Sequence, residues 1–139
     1  MDSLPPDSRR DDLDAVAAQP YVSLTTFRRT GQPVATPVWI ARDGDELVVI
    51  TVDGVGKTKR LAHTSRVELR PCDMRGTVPD GAPTHHGTAK VVRAPQDVAA
   101  VKRAIGAKYR LARLGDAAAA LVSPVVKRKP RAGIRIVLG

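Results

Sequence analysis

The chain encodes a small α+β barrel built mainly of strands. From Tyr21 to Arg70 the hydrophobic pattern runs in short β-rich segments of period two, broken by turn residues. One long segment of helical period follows at Gln96–Leu114, and a last β-rich segment, Ile134–Leu138, closes the pattern. Strands first, a helix inserted late, then a closing strand is the order of a small α+β barrel. No internal repeat is visible.

Residues 1–10 are polar and carry two prolines, and they are expected to form a flexible segment ahead of a single domain, 11–139. Asp11–Ala18 starts with acidic residues, spaces Leu13 and Val16 three apart and stops at Pro20, which suits a short helix. Tyr21–Arg29 is the first strand, ended by the turn Thr30-Gly31-Gln32-Pro33. Val34–Arg42 is the second, with Val34, Thr36, Val38 and Ile40 on one face and Ala35, Pro37, Trp39 and Ala41 on the other. Pro37 cannot donate to a ladder and therefore marks a bulge or an edge position, where the backbone is open to a ligand. Asp43-Gly44 signals a hairpin. The third strand, Glu46–Val52, is apolar on both faces and is expected to be central.

After Asp53-Gly54-Val55-Gly56, residues Lys57–Thr64 fit about two helical turns. Val67–Arg70 and Gly87–Arg93 are further strands, separated by a Gly- and Pro-rich segment, 73–85, expected to be a mobile loop. In the main helix Val98, Val101, Ile105 and Ala112 form an apolar stripe, and Gly115 breaks it. Ala117–Val122 is expected to be a second short helix, and the cationic run Lys127–Arg131 a surface turn before the last strand.

At 139 residues the chain is one domain with a thin core. With only 3% aromatic residues, that core must come from Val, Ile, Leu and Ala, and dimerisation would bury more surface. The formal charge of +9 calls for an anionic partner: nucleic acid, an anionic membrane or a polyanionic small molecule. Cys72 is the single cysteine, which excludes an intrachain disulfide, a Cys-rich zinc site and an Fe–S cluster. The first ten residues lack the apolar core of a signal peptide. Ala117–Val122 falls far short of the roughly 20 apolar residues that span a bilayer. The expectation is a cytoplasmic protein without a membrane segment.

The candidate site begins at Gly56-Lys57-Thr58-Lys59-Arg60-Leu61. Cationic side chains, helix-start N–H groups and a hydroxyl meet there, as a phosphate or a polycarboxylate requires. The upstream run Ala35-Thr36-Pro37-Val38-Trp39 supplies an apolar strand able to flank a ring system. Together they form a cofactor site with one apolar and one anionic end.

These residues resemble a known superfamily. Tyr21–Arg29, then Gly31–Trp39 with its Thr-Pro-Val-Trp, then Gly-Lys-Thr-Lys-Arg-Leu at 56–61, Arg66-Val67 and Pro71-Cys72 are similar to the flavin and deazaflavin oxidoreductases of the split β-barrel fold, relatives of pyridoxamine 5′-phosphate oxidase. Within that superfamily the match is to the branch using coenzyme F420. It covers about Tyr21–Arg93 and, more loosely, the Lys108-Tyr109 helix and the last strand. The resemblance implies a homodimer with two cofactor sites at the subunit interface. Thr36, Pro37, Val38 and Trp39 would lie along the ring. Ile50 and Thr51 would contact the ring or ribityl chain. Gly56, Lys57, Thr58, Lys59 and Arg60 would hold the phosphate and acidic tail. F420 is more anionic than FMN, which agrees with the cationic helix start. Hydride transfer needs no protein nucleophile, because the cofactor carries the chemistry; no catalytic residue is assigned.

Other features receive plainer readings. His85-His86 point to opposite faces of a strand and have no third soft ligand nearby, so no metal site is assigned. Cys72 reads as a buried small hydrophobe. Tyr109 reads as packing with an exposed hydroxyl, and Lys127–Arg131 as a surface turn or, alternatively, a segment approaching the cofactor tail from the partner subunit. Three functions compete: an F420-dependent oxidoreductase acting on a small organic substrate, an FMN enzyme of the same fold, and a non-enzymatic binding module. The last would hold nucleic acid, or store a cofactor or a haem-like tetrapyrrole. Nucleic acid is disfavoured because Phe27, Trp39 and two tyrosines are too few for a stacking platform.

Overall fold

The structure, a computed structural model, describes residues 6–111 and 130–139; the expected helix Ala117–Val122, the Gly115 break, Ala112 of the stripe and Lys127–Lys129 lie outside the described residues. Helix α1 (Pro6–Ala17) precedes strands β1 (Val22–Phe27), β2 (Pro33–Val38), β3 (Ala41–Asp43) and β4 (Glu46–Val52). Helix α2 (Gly56–Leu61), β5 (Arg66–Pro71), β6 (His85–Val92), helix α3 (Pro95–Leu111) and β7 (Arg131–Leu138) follow. Helix α1 starts five residues before the Asp11 expected from the acidic run, because Pro6 supplies a φ already set for a first helical position. The expected second strand, Val34–Arg42, is two strands with a break at Trp39-Ile40.

All seven strands pair antiparallel in one sheet, in the order β2-β1-β5-β6-β7-β4-β3. β2 and β3 are the two edges, yet only Trp39 and Ile40 separate them in the chain. Flat, seven strands would hold their edges roughly 29 Å apart, at about 4.8 Å per spacing. Three Cα steps from Val38 to Ala41 reach at most about 11 Å. The sheet must therefore curl until its edges nearly meet, giving a half-barrel split at Trp39-Ile40. Pro37, on edge strand β2, pairs only with Ser23. The hairpin turn after Asp43 forms as expected, with Gly44 at φ +66° in its first position.

β4 is flanked on both sides, by β7 and β3, but lies next to an edge; β6 holds the middle of the sheet. Its two apolar faces serve two cores. Leu47 and Val49 face the barrel interior with Val22, Leu24, Ile40, Leu69, Ile134 and Ile136, plugged by Leu13 and Val16 of α1. Val48 faces outward against Val101, Ile105 and Tyr109 of α3, with Trp39 and Ile50 packed alongside. Gly133 of β7 lets α3 come close: a Cβ there would stand 2.8 Å from Val101 Cγ2 and 2.9 Å from Val92 Cγ2. The segment expected as a mobile loop is closed at its start. Asp73 Oδ1 accepts from the backbone N–H groups of Arg75 and Thr77, both at 2.9 Å.

Candidate functional site

An open cleft of about 380 Å³ lies beside the split. Pro37, Val38 and Trp39 form one side, and Ile50, Thr51 and Val52 of β4 form the other. Tyr21, ahead of β1, and Met74, after β5, add to the apolar lining, while Lys57 and Arg131 supply charge. Clefts of similar size run along α1 beside Arg9, Leu13 and Arg42, at about 390 Å³, and over the outer face of β6 and β7, at about 400 Å³. Neither has an aromatic wall, whereas the cleft at the split offers a flat ring the Trp39 indole as a stacking partner.

The structure brings together six of the eleven residues singled out in the sequence: Pro37, Val38, Trp39, Ile50, Thr51 and Lys57. The other five stand elsewhere. Thr36 faces away from Pro37, as alternation along a strand dictates, and its hydroxyl oxygen is buried without a partner. The Thr58 side chain is buried and turned into its own loop. Its hydroxyl donates to the Val55 carbonyl at 2.9 Å and accepts from the Gly54 N–H at 3.1 Å, so it braces the turn instead of offering a proton to a ligand. Lys59 is exposed on the far side of α2. Gly56 makes room for Arg60, whose guanidinium Nη1 would lie 2.5 Å from a Cβ at that position.

Arg60 folds back to donate from Nε to the buried Thr26 hydroxyl. Burial and neighbouring Arg28 push its pKa down, and burial and Arg60 do the same to Lys57. The pattern is a crowd of cations: among the described ion pairs, no carboxylate meets Lys57, Arg60 or Arg28. Arg131 adds to it. Its Nε is buried with no hydrogen-bond partner, and the residue lines the cleft. A buried unpaired donor is costly unless a ligand completes it. The chemistry fits an anion at one end of a flat apolar slot.

Tyr21, Val52 and Met74 are not singled out by the sequence. Arg131 had a signal, as the end of a basic run; it opens β7 opposite Val52 and does not sit in a surface turn. Tyr109 also departs from expectation. Its hydroxyl is buried, accepting from the Ile40 N–H at 3.0 Å and lying 2.8 Å from the Pro20 carbonyl to which it donates. Its ring stacks on Trp39, with centroids 4.4 Å apart and planes 14° from parallel. Lys108 beside it donates to the carbonyls of Gln19 and Ile40, each at 2.6 Å. Desolvation lowers the Lys108 pKa to about 8 and raises that of Tyr109 to about 12.

The histidines stay apart. His85 Nδ1 lies 3.9 Å from Asp12, and His86 Nδ1 lies 3.7 Å from Glu68 on the other face. Among the described residues, no group of three His, Cys, Asp or Glu side chains converges as metal ligands. No described helix is long and apolar enough to cross a membrane.

Solved structures share this fold at low identity. Rv2991, a conserved hypothetical protein of Mycobacterium tuberculosis, superposes with a TM-score of 0.66 at 23% identity, over 98% of this chain and 81% of its own. The heme storage protein HutZ of Vibrio cholerae does so with a TM-score of 0.64 at 11% identity, over 98% and 92%. An F420 reductase gives 0.58 at 19% identity, over 91% and 92%. None of the curated proteins matches the chain. The family profile of pyridoxamine 5′-phosphate oxidase matches residues 11–132. With that match spanning most of the chain on a split, curled antiparallel sheet, the protein belongs to the pyridoxamine 5′-phosphate oxidase family.

Proposed function

We propose that the protein is an F420-dependent oxidoreductase, working as a homodimer on a small organic substrate. The observation that carries this reading is the cleft itself. A Trp39-walled apolar slot carries Lys57 and the unpartnered Arg131 Nε, with Arg60 behind Lys57 adding positive potential. Pro37, Val38, Trp39, Ile50 and Met74 would hold the ring, and Lys57 and Arg131 the anionic phosphodiester and glutamyl tail. Bound F420 supplies the hydride. The protein's own residues bind, orient and desolvate. The cleft is open on one side, and a second copy of the chain closing it accounts for the dimer.

Charge favours the deazaflavin over FMN. F420 carries a phosphodiester and several carboxylates, and the chain carries a net +9 with no carboxylate on Lys57 or Arg131 among the described ion pairs. Among the described residues no histidine lines the cleft, which leaves Tyr21 and Met74 as the candidate axial ligands for a haem.

Calorimetric titration of the purified protein with F420, FMN and haemin tests the reading. F420 should bind with a dissociation constant on the order of micromolar or tighter, well below that of FMN. Yellow protein carrying tightly bound FMN, or haemin binding in preference to both, would overturn the assignment. Sedimentation checks the dimer.

A further inference from the structure

We propose that Lys108 and Tyr109 of α3 are positioning residues: they clamp the Trp39-Ile40 corner so that the Trp39 ring forms a fixed wall for the cofactor. The inference rests on the reading of the cleft as a cofactor site, and neither residue lines that cleft. The corner needs such a device. It joins the two unpaired edges of the sheet, so no neighbouring strand holds it. Both polar groups of the Ile40 backbone are instead taken by α3: the N–H by the Tyr109 hydroxyl at 3.0 Å, and the carbonyl by Lys108 Nζ at 2.6 Å.

The same two side chains reach the segment ahead of β1. Lys108 donates to the Gln19 carbonyl at 2.6 Å, and the Tyr109 hydroxyl donates to that of Pro20 at 2.8 Å. One helical turn thus ties together both chain segments that meet at the split, including the one leading to Tyr21. The Tyr109 ring lies parallel to Trp39 and 4.4 Å from it, on the α3 side, leaving Trp39 to border the cleft. Ile40 turns inward to the barrel core while Trp39 and Ala41 turn toward α3, so the indole plane follows from how the corner is held.

Trp39 is the chain's single tryptophan, so its emission reports on this wall alone. Tyr109→Phe keeps the stacked ring and removes the hydroxyl; Lys108→Met keeps the stem and removes the donor. Val67→Ala, a buried change in the barrel core, serves as a control that lowers stability away from the corner. In the cofactor-free protein, acrylamide quenching of Trp39 should increase in the first two variants and stay at the wild-type value in the control. F420 should bind the two clamp variants on the order of tenfold more weakly. If Tyr109→Phe does not fold, Lys108→Met decides the matter. Unchanged quenching in a folded clamp variant overturns the clamp, whatever the wild type binds. Altered quenching with unchanged F420 affinity overturns its link to the cofactor. Altered quenching in a protein whose wild type binds no F420 sinks the cofactor reading and leaves the clamp standing.

Discussion

Lys57 and Lys59 differ by two positions and by everything that matters to a ligand. Lys57 is half-buried at the cleft, its ammonium disfavoured by desolvation and by Arg60, whereas Lys59 stands in solvent. An anion in the cleft would restore Lys57 its lost solvation. Lys57→Ala should therefore cost about 1.5–3 kcal/mol of F420 binding, the range of one charge-assisted contact. Lys59→Ala should change it by less than about 0.5 kcal/mol, as exposed substitutions do. Calorimetry on the two variants checks both values, and equal losses would refute the assignment of Lys57. Sequence could not separate these lysines. The charge run was legible, but which of its members face the cleft depends on how α2 is set after Gly54 and Val55. The Thr58 hydroxyl is an example: its place in the run marks it as a ligand group, yet the fold uses it to lock that turn.

At the scale of elements, α3 decides what happens at the split. It rests on β7 through Gly133, where any side chain would press on two β-branched valines. Gly133→Ala should overpack this contact, destabilise the protein by about 1–3 kcal/mol and shift Trp39 emission as α3 moves. Thermal denaturation and fluorescence measure the two effects. Lys108 adds a pH dependence. Its folded pKa is lowered from 10.5 to about 8, so between those values the unfolded chain holds a proton that the folded chain has released. Stability then rises with pH, because the unfolded state binds more protons. The Lys108 contribution is least favourable below about pH 8 and improves toward pH 10.5. The melting temperature of the wild type relative to Lys108→Met should climb across that window; a flat or falling difference would contradict the burial of this ammonium. The periodicity of α3 and its buried face, Val98, Val101 and Ile105, were readable. The destination of Tyr109 was not, since its partners Pro20 and Ile40 lie 89 and 69 residues away.

Over the whole molecule, a surplus of nine positive charges acts on any anionic ligand before it reaches the cleft. F420 affinity should fall as salt is raised, and more steeply than that of FMN, because more ligand charge is being screened. Titrations at low and high ionic strength compare the slopes, and equal slopes would argue against the acidic tail meeting the cation cluster. The strands themselves were mostly legible: Glu46–Val52 forms with the bounds its pattern set, though beside an edge and not at the centre, and Pro37 does mark an edge. What local pattern could not show is that Val34–Arg42 breaks at Trp39 and passes from one edge of the sheet to the other. Both halves alternate correctly, and only the pairing of distant strands tells them apart.

That crossing has a consequence for how the protein is made. The β3–β4 hairpin joins the sheet's hydrogen-bond ladder through β7 alone, and β7 is the last described strand in sequence. During synthesis, β1, β2, β5 and β6 can pair as soon as they emerge. The β4 side of the cleft must wait, tethered at Trp39-Ile40, until residues 131–138 have cleared the ribosome and slotted between β4 and β6. A chain whose β7 has not yet emerged therefore lacks one wall of the cleft, however well its other strands have paired.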